Sequence, residues 1–233
     1  TAFMIWAVIR LPETLHREDR LPIRLDRIAA AFREALTNRR SMGYTLAMTA
    51  ISGTLFGFIN SSQQIFFDVF EQPGLFTTFF GLMAGGVAIA SLLNARLVER
   101  LGTRLISHTA LLGFIAMGAV HSIVTLTGHE TLWTFAILQG LTMFCFGLIA
   151  GNFGSMAMEA MGHIAGTASS AQGFISTTAG STLGFLIGQQ FNGSVAPLAI
   201  GVTACGILAL AAVLYAEQGQ LFRARNPVQP RSV

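Results

Sequence analysis

Residues 95–104 read ARLVERLGTR, from Ala95 to Arg104, a short charged segment between two long apolar runs. Leu75 to Ala95 before it and Leu105 to Gly128 after it each reach the roughly 20 residues that a helix needs to cross a bilayer. The segment therefore reads as a compact loop closing a hairpin of two spanning helices. Short loops dense in arginine remain on the cytoplasmic side of a membrane, so this one sets an orientation for the chain.

Working outward, spans are expected at about 41–64, 75–94, 105–127, 132–151, 167–188 and 196–215. The last two need a break between them, because no Asp, Glu, Lys or Arg occurs from Gly162 through Ala216, a run too long for one helix. The polar turn from Gln189 to Ser194, ahead of Pro197, supplies it. Residues 1–10, apolar as far as Ile9, read as the end of a truncated spanning helix, which makes the chain a fragment of something longer. Residues 11–40 form a cytoplasmic linker in which Leu25, Ile28, Phe32 and Leu36 recur at helical spacing, the pattern of an amphipathic surface helix. Residues 41–216 make the six-helix transmembrane bundle and 217–233 a cytoplasmic tail. The expected fold class is thus an all-α integral membrane protein. All 14 basic residues are arginines lying in 10–40, 96–104 or 223–231, whereas the joins at 65–74, 128–131 and 189–195 hold none. That asymmetry puts the C-terminus in the cytoplasm.

Composition narrows the function. With 52% hydrophobic and only 11% charged residues, this is no ordinary soluble domain. The arginines cluster between apolar runs rather than covering one face, so the expected partner is membrane lipid and not nucleic acid. The lack of lysine removes a P-loop nucleotide site and Schiff-base chemistry. Cys145 and Cys205 lie in separate apolar runs and read as packing residues. His16, His121, His129 and His163 are too scattered for a metal set, and Glu159 with His163, four apart, reads as an interfacial pair. No HExxH, GxSxG or GxGxxG motif occurs, so neither an enzyme nor a bound cofactor is expected.

Inside the spans polar groups are few, and such groups face a cavity or a partner helix. His121 reads as a packed, hydrogen-bonded histidine. Met48, Ser52, Leu55, Ile59 and Gln63 share one face of the first complete span, and Gln139, Met143 and Phe146 share one face of the fourth. Thioether, aliphatic and aromatic groups with an occasional amide adapt to varied apolar ligands. These residues, with Gln172 of the fifth span, are the candidate lining of a substrate cavity; ordinary helix packing is the alternative. Glycines four apart, at Gly53/Gly57, Gly81/Gly85, Gly147/Gly151 and Gly180/Gly184/Gly188, mark faces on which helices approach closely.

The segment at 95–104 resembles the cytoplasmic loop motif of the major facilitator superfamily, Gly-x-x-x-Asp-Arg-x-Gly-Arg-Arg. Ala95 stands for the first Gly and Glu99 for the Asp; Arg100, Gly102 and Arg104 match, and Thr103 departs. LPETL at 11–15, NRRSMGY at 38–44 and MEAMGHIAGTASS at 158–170 resemble more specifically the bicyclomycin-resistance (Bcr/CflA) type of multidrug efflux transporters. The likeness runs from about Ile9 to Ala216, although many members carry a proline near Gln63. It implies twelve spans in two halves around a central cavity, with this chain supplying the C-terminal half and an N-terminal six-helix half as its partner. It further implies export of a drug-like small molecule in exchange for protons by alternating access, driven by the proton gradient across a bacterial inner membrane. The first and fourth complete spans would line the cavity, the second and fifth would form gates, and the third and sixth would support them. The loop motif (Ala95, Arg96, Glu99, Arg100, Gly102, Arg104) would help hold one conformation through contacts at the cytoplasmic face. Two other readings remain, a metabolite facilitator half and a non-transporting six-span partner protein.

Overall fold

The structure, a computed structural model, describes Trp6, Arg10 and residues 25–223. The LPETL segment, Arg17, Arg20, Arg24 and the tail beyond Arg223 lie outside the described residues, as does the expected helix end at 1–10 apart from Trp6 and Arg10. The described residues fold into seven α-helices: α1 (Leu25–Thr37), α2 (Arg39–Gln64), α3 (Phe76–Leu101), α4 (Thr103–Leu126), α5 (Leu132–Met158), α6 (Ala165–Gln189) and α7 (Ala196–Glu217). A π-helical turn, Ile65–Val69, extends α2. Short 3-10 turns at Pro73–Leu75 and Gly162–Ile164 lead into α3 and α6.

Local chemistry sets the boundaries. Asn38 caps α2, its side chain accepting from the amides of Arg40 and Ser41 at 3.1 Å. Thr131 and Thr134 form a capping box at the start of α5, and Pro197 sits in the first turn of α7. The expected loop at Ala95–Arg104 is not a loop. Helix α3 runs through it to Leu101, and Gly102 alone, with φ 81°, separates α3 from α4. Arginines on a helix end need only reach water with their long side chains, so the charge did not require the backbone to leave the helix.

Among the described residues, five helices are long and apolar enough to cross a membrane: α2 with its π turn, α3, α4, α5 and α7. Helix α6 is as long, but its Gly, Ser and Thr content keeps it outside that class. The six long helices cross the bundle alternately, so Arg39, Arg96, Arg100 and Arg104 gather at one end, here called the arginine-rich end. Asp68, Glu71 and Glu130 lie at the other.

Packing follows a pseudo-two-fold pattern. Helix α2 lies against α6 and α7, helix α5 lies against α3 and α4, and α2 touches α5 and α4 touches α7 at the centre. Hydrophobic transfer gives no drive between helices in lipid, so close approach of small residues must supply the attraction. Gly53, Gly57, Gly180, Gly184 and Gly188 do so between α2 and α6: a side chain at Gly184 would run into Phe56 and the backbone of Gly57. Gly147 plays the matching part between α5 and α3, where a Cβ would lie 2.7 Å from both Ala90 Cβ and the Val87 carbonyl. Gly81, Gly85 and Gly151 have nothing within 4 Å of a Cβ, so the expected Gly81/Gly85 face carries no helix in this structure and the Gly147/Gly151 face is packed only at Gly147. Helix α1 caps the arginine-rich end and buries Ala31 and Ala35; of the expected stripe Phe32 is half-buried and Leu36 exposed, while the side chains of Leu25 and Ile28 lie outside the described residues. Ala35 packs with Met161 and Ala168, and small residues on α1 let it lie close over the turn into α6.

Gly184→Leu is expected to prevent the α2–α6 approach and lower stability by more than the ~1–3 kcal/mol typical of overpacking, because it strikes backbone. Gly85→Leu is expected to be tolerated. Thermal unfolding of the two variants in the same detergent checks this, and equal midpoints would show that the glycine contact is not structural.

Candidate functional site

Two places concentrate unusual chemistry. The first is a buried polar cluster at the arginine-rich end. Arg104, only 4% exposed, enters at the start of α4, directly after the Gly102 turn. Its Nε donates to Glu217 Oε1 at 2.8 Å. Its two terminal nitrogens take Glu159 in a bidentate pair at 3.1 and 2.6 Å, the geometry that suits a guanidinium best. Tyr44 of α2 donates its hydroxyl hydrogen to the same Glu217 oxygen at 2.8 Å. His108 completes the set. Its Nδ1 accepts from the Phe222 amide at 3.1 Å, so the ring proton sits on Nε2, 3.2 Å from the Tyr44 oxygen. One connected network therefore ties α2, α4, the end of α5, the end of α7 and the turn after it.

The second place is an apolar pocket of about 250 Å3 between α2, α3 and α5. Helix α2 contributes Leu55, Phe58 and Ile59, helix α3 Phe80, Met83 and Val87, and α5 Met143 and Phe146. Phe58 and Phe80 stack across it with ring centroids 5.6 Å apart. The pocket exists because α3 hardly touches α2 and is held mainly by α5. That hold is firmest towards the arginine-rich end. There Asn94 and Asn152 exchange amide hydrogen bonds at 3.0 and 2.8 Å, and Ser91 donates to the Gly147 carbonyl. Beyond the pocket, the opposite end of the bundle is filled by aromatic rings centred on Phe66, which meets Phe70, Phe76, Phe79 and Phe135.

The residues singled out in the sequence divide between these places and others. Leu55, Ile59, Met143 and Phe146 line the pocket together. Met48 is half-buried and packs on the core. Ser52 is buried against Gly180 of α6, and Gln63 is exposed. Gln172 reaches from α6 to the Gly154 carbonyl of α5 at 3.5 Å. Gln139 is fully buried with neither amide atom hydrogen-bonded. Of the loop motif only Arg104 enters a network; Ala95, Arg96, Glu99 and Arg100 are exposed on the end of α3. Glu159 and His163 do not pair with each other. Glu159 takes Arg104, while His163, in the 3-10 turn, meets Glu34 of α1 at 2.9 Å. Glu217, expected at the start of the tail, is the last residue of α7 and fully buried. His121 is buried and lies 3.4 Å from Glu130, as a packed histidine should. Tyr44, His108, Phe58 and Met83 were not anticipated.

An all-α bundle in which five of the described helices are long and apolar enough to cross a membrane has the architecture of a multi-pass membrane protein. Its relatives agree. No protein-family model matches the chain. It is 26% identical over 206 residues to the bicyclomycin resistance protein homolog of Haemophilus influenzae, covering 88% of this chain and 52% of that protein. It is 30% identical over 164 residues to the uncharacterized MFS-type transporter YdgK of Bacillus subtilis, covering 68% of this chain and 40% of that protein. The chain spans about half the length of the curated relatives it matches. The chain is thus similar to transporters of the major facilitator superfamily, and among them to the bicyclomycin-resistance type.

Arg104→Ala is expected to cost about 3–5 kcal/mol, the usual loss when one side of a buried ion pair is removed. Glu217→Gln should cost less, and Glu159→Gln least, since the Glu159 side chain is 25% exposed. Thermal unfolding of the three variants orders them; an Arg104→Ala midpoint equal to wild type would show the cluster to be dispensable.

Proposed function

We propose that this bundle works with a second six-helix half as a drug:proton antiporter, exporting hydrophobic or amphipathic compounds across the bacterial inner membrane, with its C-terminus in the cytoplasm. The observation that carries this reading is the pocket between α2, α3 and α5, whose lining holds no charged or hydrogen-bonding side chain. Such a wall selects by shape and apolar area, which suits chemically varied ligands and disfavours polar metabolites. The drug-resistance name of one relative supports the same class of cargo.

Alternating access needs elements that move and a contact that is made and broken. Helix α3 is fastened by the Asn94–Asn152 pair and the Gly147 contact, and stands off α2 further along. Between that fastening and the ring contacts of Phe76 and Phe79 with Phe66 it can bow, and so change the width of the pocket. The Arg104 cluster joins four helix ends and holds one arrangement of the arginine-rich end. The carboxylates of the described spans sit near the bundle ends, so the proton-coupling acid is assigned to the other half. Binding in the pocket is then coupled to protonation through the relative position of the halves.

The test is accumulation of Nile red, a neutral apolar dye, in cells expressing the full-length protein, with and without a protonophore. Expression should lower accumulation, and the protonophore should abolish the difference. Phe58→Ala removes an aromatic wall worth about 1.5–3 kcal/mol of burial, so the apparent affinity should fall roughly tenfold or more. Saturable uptake of one polar solute without dye export would favour a metabolite facilitator. A dye flux indifferent to Phe58→Ala would remove the pocket from the mechanism.

A further inference from the structure

The pocket has a second cavity behind it. A cleft of about 320 Å3 lies between α3 and α5 on the outer side of the bundle. On α3 the pocket takes Phe80, Met83, Ala84 and Val87, while the cleft takes Phe79, Leu82, Met83 and Gly86. These are adjacent stripes of one helix, and Met83 is the only side chain that belongs to both. It is 5% exposed and stands as the partition between them. Methionine is unbranched and has three rotatable bonds, so it can swing aside at little cost where an Ile or Phe could not.

The outer mouth of the cleft is formed by Leu82, Trp133 and Ile137, each more than half exposed. Side chains of this kind suit acyl chains, and an indole suits the interfacial end of a span. The cleft itself comes from two glycines. Gly86 on α3 and Gly140 on α5 both line it, and neither has any atom within 4 Å of where a Cβ would stand. Elsewhere glycines bring these two helices together, as Gly147 does against Val87 and Ala90. Here they leave room.

We propose that the pocket exchanges its ligand sideways with the bilayer through the α3–α5 cleft, with Met83 as the movable partition. The occupant is an apolar or amphipathic solute already dissolved in the membrane. This rests on the pocket being the ligand site. A route from the bilayer is favoured by physics, because an apolar solute is far more concentrated among acyl chains than in water and enters without a second desolvation.

The intact protein in phosphatidylethanolamine–phosphatidylglycerol vesicles is photolysed with a lipid-dissolved trifluoromethyl-phenyldiazirine, and adducts are mapped by peptide mass spectrometry. Wild type should carry adducts at Phe58 and Met143 in the pocket as well as at the bilayer-facing Leu92 and Ile123. The double variant Gly86→Leu, Gly140→Leu puts side chains into the cleft at positions where a Cβ meets no atom within 4 Å, and should lose the pocket adducts several-fold while keeping those at Leu92 and Ile123. Met83→Ala should raise the pocket adducts. Pocket labelling that persists through the filled cleft overturns the lateral route and leaves the pocket standing. Absence of pocket labelling in every variant, Met83→Ala included, overturns both.

Discussion

Gly184 lies so close to α2 that a side chain there would collide with the backbone of Gly57, and the rest of the bundle depends on approaches of this kind. In a bilayer a leucine gains nothing by leaving lipid for another helix, so helices associate through dispersion, which falls away within an ångström of extra separation. Small residues on both partners keep that distance short along α2 and α6. Polar ties add direction more than energy, since interhelical hydrogen bonds in membranes average only ~0.6 kcal/mol. The reciprocal Asn94–Asn152 pair is best understood in that way: it sets which face of α3 meets α5.

The Arg104 cluster obeys a different balance. Its charges are taken out of water, a cost that the bidentate Glu159 contact and the Glu217 contact must offset. When the helix ends part, each group regains hydration in exchange for its partner. The net energy of opening is therefore much smaller than either term. A clasp of this type suits a protein that must visit two arrangements, whereas an apolar seal of the same area would have no such compensation. The contact also depends on four chain segments meeting at once, so it is lost as a unit.

Much of the fold could be read from the chain because membrane spans leave long, uninterrupted signals. Twenty apolar residues in a row say helix whatever the partner, and the positions of the arginines order the ends. What the sequence hid were the partners. Ser52 shares a helical face with Leu55 and Ile59, yet it faces Gly180, because a small hydroxyl-bearing residue fits where a glycine comes close. Glycines four apart announce a close-packing face, but the same spacing at Gly81 and Gly85 meets no helix. Glu217 looked like the first residue of a tail; its burial comes from Arg104, 113 positions away, and Tyr44, 173 positions away. The segment at 95–104 conceals its helix for a related reason. Charge identifies a segment that must touch water, and the end of a helix touches water as well as a loop does.

The two triplets of long helices share one packing plan but not one degree of closure, and the difference locates the pocket. Helix α6 is held to α2 by glycines spread from Gly53 to Gly57 and from Gly180 to Gly188. Its counterpart α3 is held to α5 by a tight patch around Gly147 and Asn152, and further along the two helices carry bulky side chains and unfilled glycines instead. Space opens on both sides of α3 there, inward to the pocket and outward to the cleft. Helix α3 is held near both ends, by Asn94–Asn152 and Gly147 at one and by the rings of Phe76 and Phe79 against Phe66 at the other, so its room to move lies between them, around Phe80 and Met83. The same looseness that creates room for a ligand therefore gives α3 the freedom to respond to one.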